Sequence, residues 1–288
     1  VEWVGAVLQG ILLGGLFALF ACGLSLMFGT MRVINLAHGD LAIVAAFLAV
    51  EIAPAIGLSG LAAVIVVLPI FLILGYVGQR TLLQSSLERG PFTTLLVTFG
   101  LSVVIENLLL EVYSADSHSI QIGSLVSRSI QVTSEISIAY LSLGIFALAV
   151  VVLLGLQYFL SRAKTGRMIR AVADDPEAAR LSGVDHHHVF GVAASLAFAT
   201  VALAGLAVGM YSSFNQTSGV NWLLYGFEAV VIGGLGSLWG TLLGGIILGV
   251  AQTVGGQIDP SLQILAGHVV FLAVLAVRPE GITRRVTV

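Results

Sequence analysis

The chain has 288 residues, 58% of them hydrophobic and 9% charged, with a mean hydropathy of +1.05 and a formal net charge of −3. Soluble domains carry roughly 25% charged residues, so a water-soluble globular domain is excluded and a multi-pass membrane protein in a lipid bilayer is expected. The charge balance gives no sign of a nucleic-acid partner, and the single Cys22 excludes an intrachain disulfide and reads as a small buried hydrophobe.

A helix that crosses a bilayer needs about 20 apolar residues. The first such run, residues 4–28, has no basic leader and is too long for a signal h-region, so it reads as a spanning helix. Further apolar segments follow at 41–56, 58–79, 92–112, 138–160, 189–212, 238–256 and 262–278, with a shorter one at 222–233. The expected fold is therefore an all-α polytopic membrane protein, one transmembrane domain over residues 1–288. It has about eight spanning helices, a re-entrant half-helix and helices broken at Gly-rich turns. Basic residues collect at Arg80 and Arg89, in 161–188, and at Arg278, Arg284 and Arg285. An excess of Lys and Arg marks cytoplasmic loops, which places these regions and the C-terminus inside and residues 113–137 outside. No Lys or Arg precedes Arg32, which favours an external N-terminus. With 213–221 outside and the tail inside, residues 222–256 must enter and return, turning at 233–237.

Polar residues inside apolar sequence are the candidate path-lining groups, because each ionisable side chain at bilayer depth costs roughly 2.5–3.5 kcal/mol on insertion scales. Asn35, His38 and Asp40 interrupt the second segment, and Glu228 sits in the short one. Asp40 is equally placed to N-cap the following helix, and His38 to hydrogen-bond at a helix end; the spacing leaves both readings open. Gly233, Gly234 and Gly236 join them as path candidates, in a turn that serves either close packing or a hinge and is expected to lie near 38–40, and Gly240–Gly244 and Gly245–Gly249 have the GxxxG spacing that lets helices approach. The windows 35–80 and 233–278 share one pattern, a Gly-containing polar turn followed by two apolar segments ending at an Arg, which is a weak internal repeat.

The longest polar run, 161–188, holds Arg162, Lys164, Arg167, Arg170 and Arg180. Asp174 or Asp175 can N-cap a short helix, Pro176 suits its first position, and Gly183 suits a left-handed stop. This predicts a helix of about two turns over Glu177, Ala178, Ala179 and Arg180, suited either to a solvated loop or to docking on another protein. No GxxxxGK[ST] phosphate loop is present, so the chain carries no P-loop ATPase of its own. No HExxH motif or Cys cluster offers a metal site, and the adjacent His186, His187 and His188 read as a solvated loop end.

INLAHGDL at 34–41, GRMIRAVADDPEAARLSGV at 166–184, VVIGGLGSLWGTLLGGIILG at 230–249 and RPEGI at 278–282 resemble, in order and over nearly the whole chain, the motifs of one family. It is the membrane-spanning permease subunits of branched-chain amino acid type ABC importers, which include urea and short-chain amide systems, and the resemblance is to the shorter permease. It implies a non-enzymatic transport subunit of the bacterial inner membrane, moving a small polar solute inward. The implied partners are a homologous permease, two cytoplasmic ATPases that bind ATP and Mg, and an external solute-binding protein; no cofactor belongs to this chain. It also implies that Asp175, Pro176, Glu177, Ala178, Ala179, Arg180 and Gly183 form the ATPase-coupling segment. The competing reading is an ion-coupled secondary transporter working alone through Asp40, Glu106 or Glu228.

Overall fold

A computed structural model describes residues 2–57, 59–123, 128–131 and 136–283, so Arg284 and Arg285 lie outside the described residues. Helix α1 runs Glu2–Met31 and α2 His38–Ala55; α3, Val64–Gly78, continues through a π-helical turn, Gln79–Leu83, into α4, Gln84–Leu87. Then come α5 Pro91–Tyr113, α6 Tyr140–Arg162, α7 Lys164–Asp174, α8 Pro176–Leu181 and α9 His186–Tyr211. The chain closes with α10 Ser218–Gly233, α11 Leu238–Ile258 and α12 Leu262–Val277. Counting Val64–Leu87 as one run, 7 helices among the described residues are long and apolar enough to cross a membrane, with α12 a shorter apolar helix. The chain is an all-α polytopic membrane protein. The polar 113–137 region holds part of a small antiparallel pair, Ser129–Gln131 with Ser137–Ala139, and His118 bridges Phe214 across the loop that follows α9.

The two central helices are α1 and α9, and small residues let their neighbours close on them. Gly10 and Gly14 of α1 face Gly249 and Gly245 of the antiparallel α11: a Cβ at Gly14 would stand 2.5 Å from the Ile246 Cα, and one at Gly245 2.5 Å from the Gly14 oxygen. Backbones that close maximise dispersion contact where lipid removes the hydrophobic drive between helices. The Gly245–Gly249 spacing thus meets a second stripe, Gly10–Gly14, of the same kind. The opposite faces of α5 and α6 stay apolar and exposed, with Phe92, Leu96, Phe99, Val151 and Tyr158 all outward, as lipid or a partner helix requires.

Two helices start inside the bundle rather than at its ends. After α1, residues 32–37 turn back without helix, and His38 opens α2 beside Phe20, about two-thirds of the way along α1: its Nε2 lies 3.3 Å from the Phe20 oxygen. After α9, residues 212–217 turn in likewise, and α10 opens at Ser218 with Trp222 stacked on Phe20 at 5.6 Å. From this level α2 rises to the Tyr113–His118 end, where Phe47 stacks on Tyr113 at 4.1 Å. Helix α10 descends to the other end, where Gly236, just past it, stands 3.3 Å from a Cβ built on Gly29. Asn35 and Asn215, His38 and Ser218, Gly39 and Gly219 stand at one constant spacing. In both turns the Asn Oδ1 accepts a backbone N–H two residues on, from Ala37 at 3.0 Å and from Thr217 at 3.2 Å.

The internal repeat is therefore α1–α2–α3 against α9–α10–α11, in a different register from the 35–80 and 233–278 windows. The segment at 222–233 is the latter part of α10, and with residues 212–217 it completes a broken passage. The turn at 233–237 consequently sits at the end of the bundle.

Candidate functional site

The residues singled out by the sequence fall into three places, with the glycine turn apart from them. The first is the level where α2 and α10 begin. Asn35, His38 and Asp40 are 0%, 0% and 1% exposed, so none lines an open channel in this conformation. Helix α2 starts at His38 with Ala37 as its N-cap residue, so Asp40 is not the cap; it stands in the first turn. There the Ser102 hydroxyl of α5 donates to Asp40 Oδ2. Gly39 and Gly219 touch: a Cβ on Gly219 would lie 2.8 Å from the Asp40 Cα. Two helix N-termini thus flank one carboxylate, and each helix presents roughly half a positive charge there. Asn35 Nδ2, His38 Nδ1 and Asp40 Oδ1 have no hydrogen-bond partner among the described residues. Buried polar atoms are nearly always paired, so these three atoms have hydrogen-bonding capacity left over within the bundle.

The second place holds Glu228. Its carboxylate is 1% exposed and 2.5 Å from His268 Nδ1 of α12, with Tyr225 stacked over the imidazole at 6.5 Å. The sequence reading passed over His268; a lone imidazole in an otherwise apolar span was the available signal. The glycine turn is separate from both. Ile282 N–H donates to the Ile232 oxygen at 2.9 Å and Thr283 N–H to the Gly233 oxygen at 3.1 Å, so the segment after α12 is stapled to this turn. Gly234 and Gly236 have φ +106° and +86°, and a Cβ at Gly234 would run into the Thr283 carbonyl. The structure brings the 38–40 turn to Gly219, while 233–236 lies beside Gly29.

The third place is α7–α8. Asp175 Oδ1 accepts from the N–H groups of Glu177 and Ala178, both at 3.0 Å, and Pro176 occupies the first turn. Asp174 instead ends α7. At the other end Val184 N–H donates to the Ala179 oxygen at 3.1 Å and Gly183 N–H to the Arg180 oxygen at 3.0 Å, with Gly183 at φ +82°. This crossed pair is the Schellman closure, which glycine accommodates without a Cβ penalty. Glu177, Ala178 and Arg180 face outward, whereas Ala179 is buried against the chain's own core at 5%. The neighbour not singled out, Leu181, is 86% exposed. Asp185 then caps α9 through the N–H groups of His187 at 3.0 Å and His188 at 3.2 Å. The His188 N–H above all holds its carboxyl below the usual range, against the opposing effect of burial and helped by the His187 N–H and the charge of Arg80. The histidine run is the first turn of α9, with the Tyr76 hydroxyl 2.9 Å from His188 Nδ1.

A family model described as "Branched-chain amino acid transport system / permease component" matches residues 6–277. The high-affinity branched-chain amino acid transport system permease protein BraD of Pseudomonas aeruginosa is 28% identical, over 99% of this chain and 96% of its own length. The corresponding permease protein LivH of Escherichia coli K12 is 25% identical over 96% of this chain and 94% of its own length. The fructose import permease protein FrcC of Rhizobium meliloti is 32% identical over a shorter stretch, 61% of this chain and 50% of its own.

Proposed function

Because this chain belongs to the branched-chain amino acid transport system permease family, we propose that it is the membrane-spanning subunit of an ATP-driven importer carrying branched-chain amino acids inward across a bacterial inner membrane. It works beside a second, homologous permease, two cytoplasmic ATPases that bind ATP and Mg, and an external solute-binding protein. The observation that carries this reading is α8. It is closed at both ends by its own hydrogen bonds, and its outward face includes an apolar side chain. An isolated helix of six residues is marginal, so such closure keeps it formed for a groove on another protein. The sequence holds no phosphate loop, and the partner in that groove supplies the ATP hydrolysis. The substrate class follows the branched-chain amino acid transport systems to which BraD and LivH belong.

In this scheme α7 and α8 are cytoplasmic and the His118 loop is external. The level where α2 and α10 start, with Asn35, His38 and Asp40, lies along the route and opens when the ATPases move α8. Glu228 braces α10 on α12 through His268 rather than carrying protons. Proteoliposomes containing the chain alone should take up no leucine above equilibrium. Those containing both permeases and both ATPases, with ATP and the binding protein, should concentrate it. Uphill uptake by the lone chain, driven by a proton gradient, would instead establish the secondary-transporter reading.

A further inference from the structure

Where α6 turns into α7 lies an open cleft of about 270 Å³, bordered by Gly29 and by Gly236 of the glycine turn, to which no role has yet been assigned. Its walls are the last turns of α1 and α6, helix α7, and the turn before α11. The volume is a little under the roughly 300–1,000 Å³ of drug-sized sites, which suits a single small molecule. Arg170 and Asp174 line it from α7, four residues apart and so on one helix face. They form no ion pair with each other, and Asp174 makes no side-chain hydrogen bond among the described residues. Among the described residues, Arg170 Nη2 donates only to the Ser161 oxygen, at 3.3 Å. The floor is apolar, with Leu26 at 4% and Ile169 at 2% exposed. Ser25 also lines the cleft, 1% exposed, and its Oγ has no hydrogen-bond partner among the described residues.

A carboxylate for Arg170, an ammonium for Asp174, a hydrogen-bonding group for Ser25 and a compact apolar body for Leu26 and Ile169 describe a free α-amino acid with a branched side chain. We propose that this cleft binds the imported amino acid from the cytoplasmic side and that occupancy slows the importer. The proposal rests on the function assigned above. Its mechanical basis is position: Asp174 directly precedes Asp175, the cap of α8. A ligand bridging α7 to α1 and to the turn before α11 pins the base of the coupling helix. Any ligand favouring one placement of α8 shifts the cycle by its differential affinity for that placement.

The test uses the complete importer. Binding of L-leucine and of glycine is measured by calorimetry on the detergent-solubilised complex without binding protein. Uptake is measured in proteoliposomes with and without L-leucine on the ATPase side. Leucine should bind and glycine should not, and leucine on the ATPase side should slow uptake. Arg170→Gln should weaken leucine binding about tenfold, the effect of losing one charge-assisted contact, and its uptake should escape the suppression. Asp174→Asn gives the same pattern and serves if the first variant misfolds. Leucine that is imported while neither variant changes binding or suppression overturns this inference and leaves the transport function standing. Leucine that is bound but not imported removes the transport function and, with it, the feedback role.

Discussion

Leu181 presents 86% of its surface to solvent at the tip of a closed helix, and a partner's groove is what would cover it. Leu181→Ser should leave the chain's own stability within about 0.5 kcal/mol and sharply reduce co-purification of the ATPases; an intact complex with full uptake would clear this residue of a docking role. Ala179→Glu is a different experiment. Ala179 is 5% exposed, so a carboxylate there must be desolvated within this chain, at several kcal/mol, and loss of docking would follow from loss of α8 itself. Asp185 offers a test with a pH signature. Its carboxyl is held below the usual range, so its charge supports the start of α9 at neutral pH, and that support fades as pH falls through the lowered value. Asp185→Asn should lower the melting temperature of the purified chain at pH 7, and the difference should close as the wild-type carboxylate protonates. The cap, the proline start and the glycine stop of α8 were legible because each depends on one residue's local chemistry. That Ala179 faces in and Leu181 out was not, because a helix this short has no periodic stripe to show which side meets α7 and α9.

At the scale of elements, helix pairs decide the fold. Gly14→Leu would drive a side chain into the Ile246 backbone, 2.5 Å from the first added carbon. Overpacking of this kind costs about 1–3 kcal/mol, and here should part α1 from α11, lowering the melting temperature and broadening the size-exclusion peak. His268→Ala leaves the buried Glu228 without its partner, at about 1–3 kcal/mol; adding Glu228→Gln should recover part of that, and failure to recover any would mean that the imidazole matters for packing alone. The spans were readable from hydropathy to within a few residues at most ends. The starts of α2 and α10 inside the bundle were harder. A helix beginning at Ser218 looks in sequence like the tail of a polar loop, since Ser218, Gly219 and Asn221 carry no apolar signal. Its contacts with Gly39 and, through Trp222, with Phe20 show its depth. The glycine turn at 233–236 misled for the converse reason: glycine and positive φ mark a turn without saying how deep it lies.

Across the whole molecule, the positions of α7–α8 and of the His118 loop at opposite ends make the topology testable. In a Cys22→Ala background, Ser117→Cys should react with an impermeant reagent applied to intact cells, and Ala178→Cys should react only after lysis. Both sites are exposed, so the reverse pattern would invert the assignment. The glycine contacts between α1 and α11 carry a further consequence, for how the chain is made. Helix α1 leaves the ribosome well before the helices that cover it, α9, α10 and α11, which lie at residues 186–258. At about 5–20 residues per second, it waits on the order of 10 seconds or more with its glycine stripe facing lipid or an insertion factor. A chain truncated before α11 has nothing to lay along Gly10 and Gly14, and that bare stripe is a ready mark for membrane quality control.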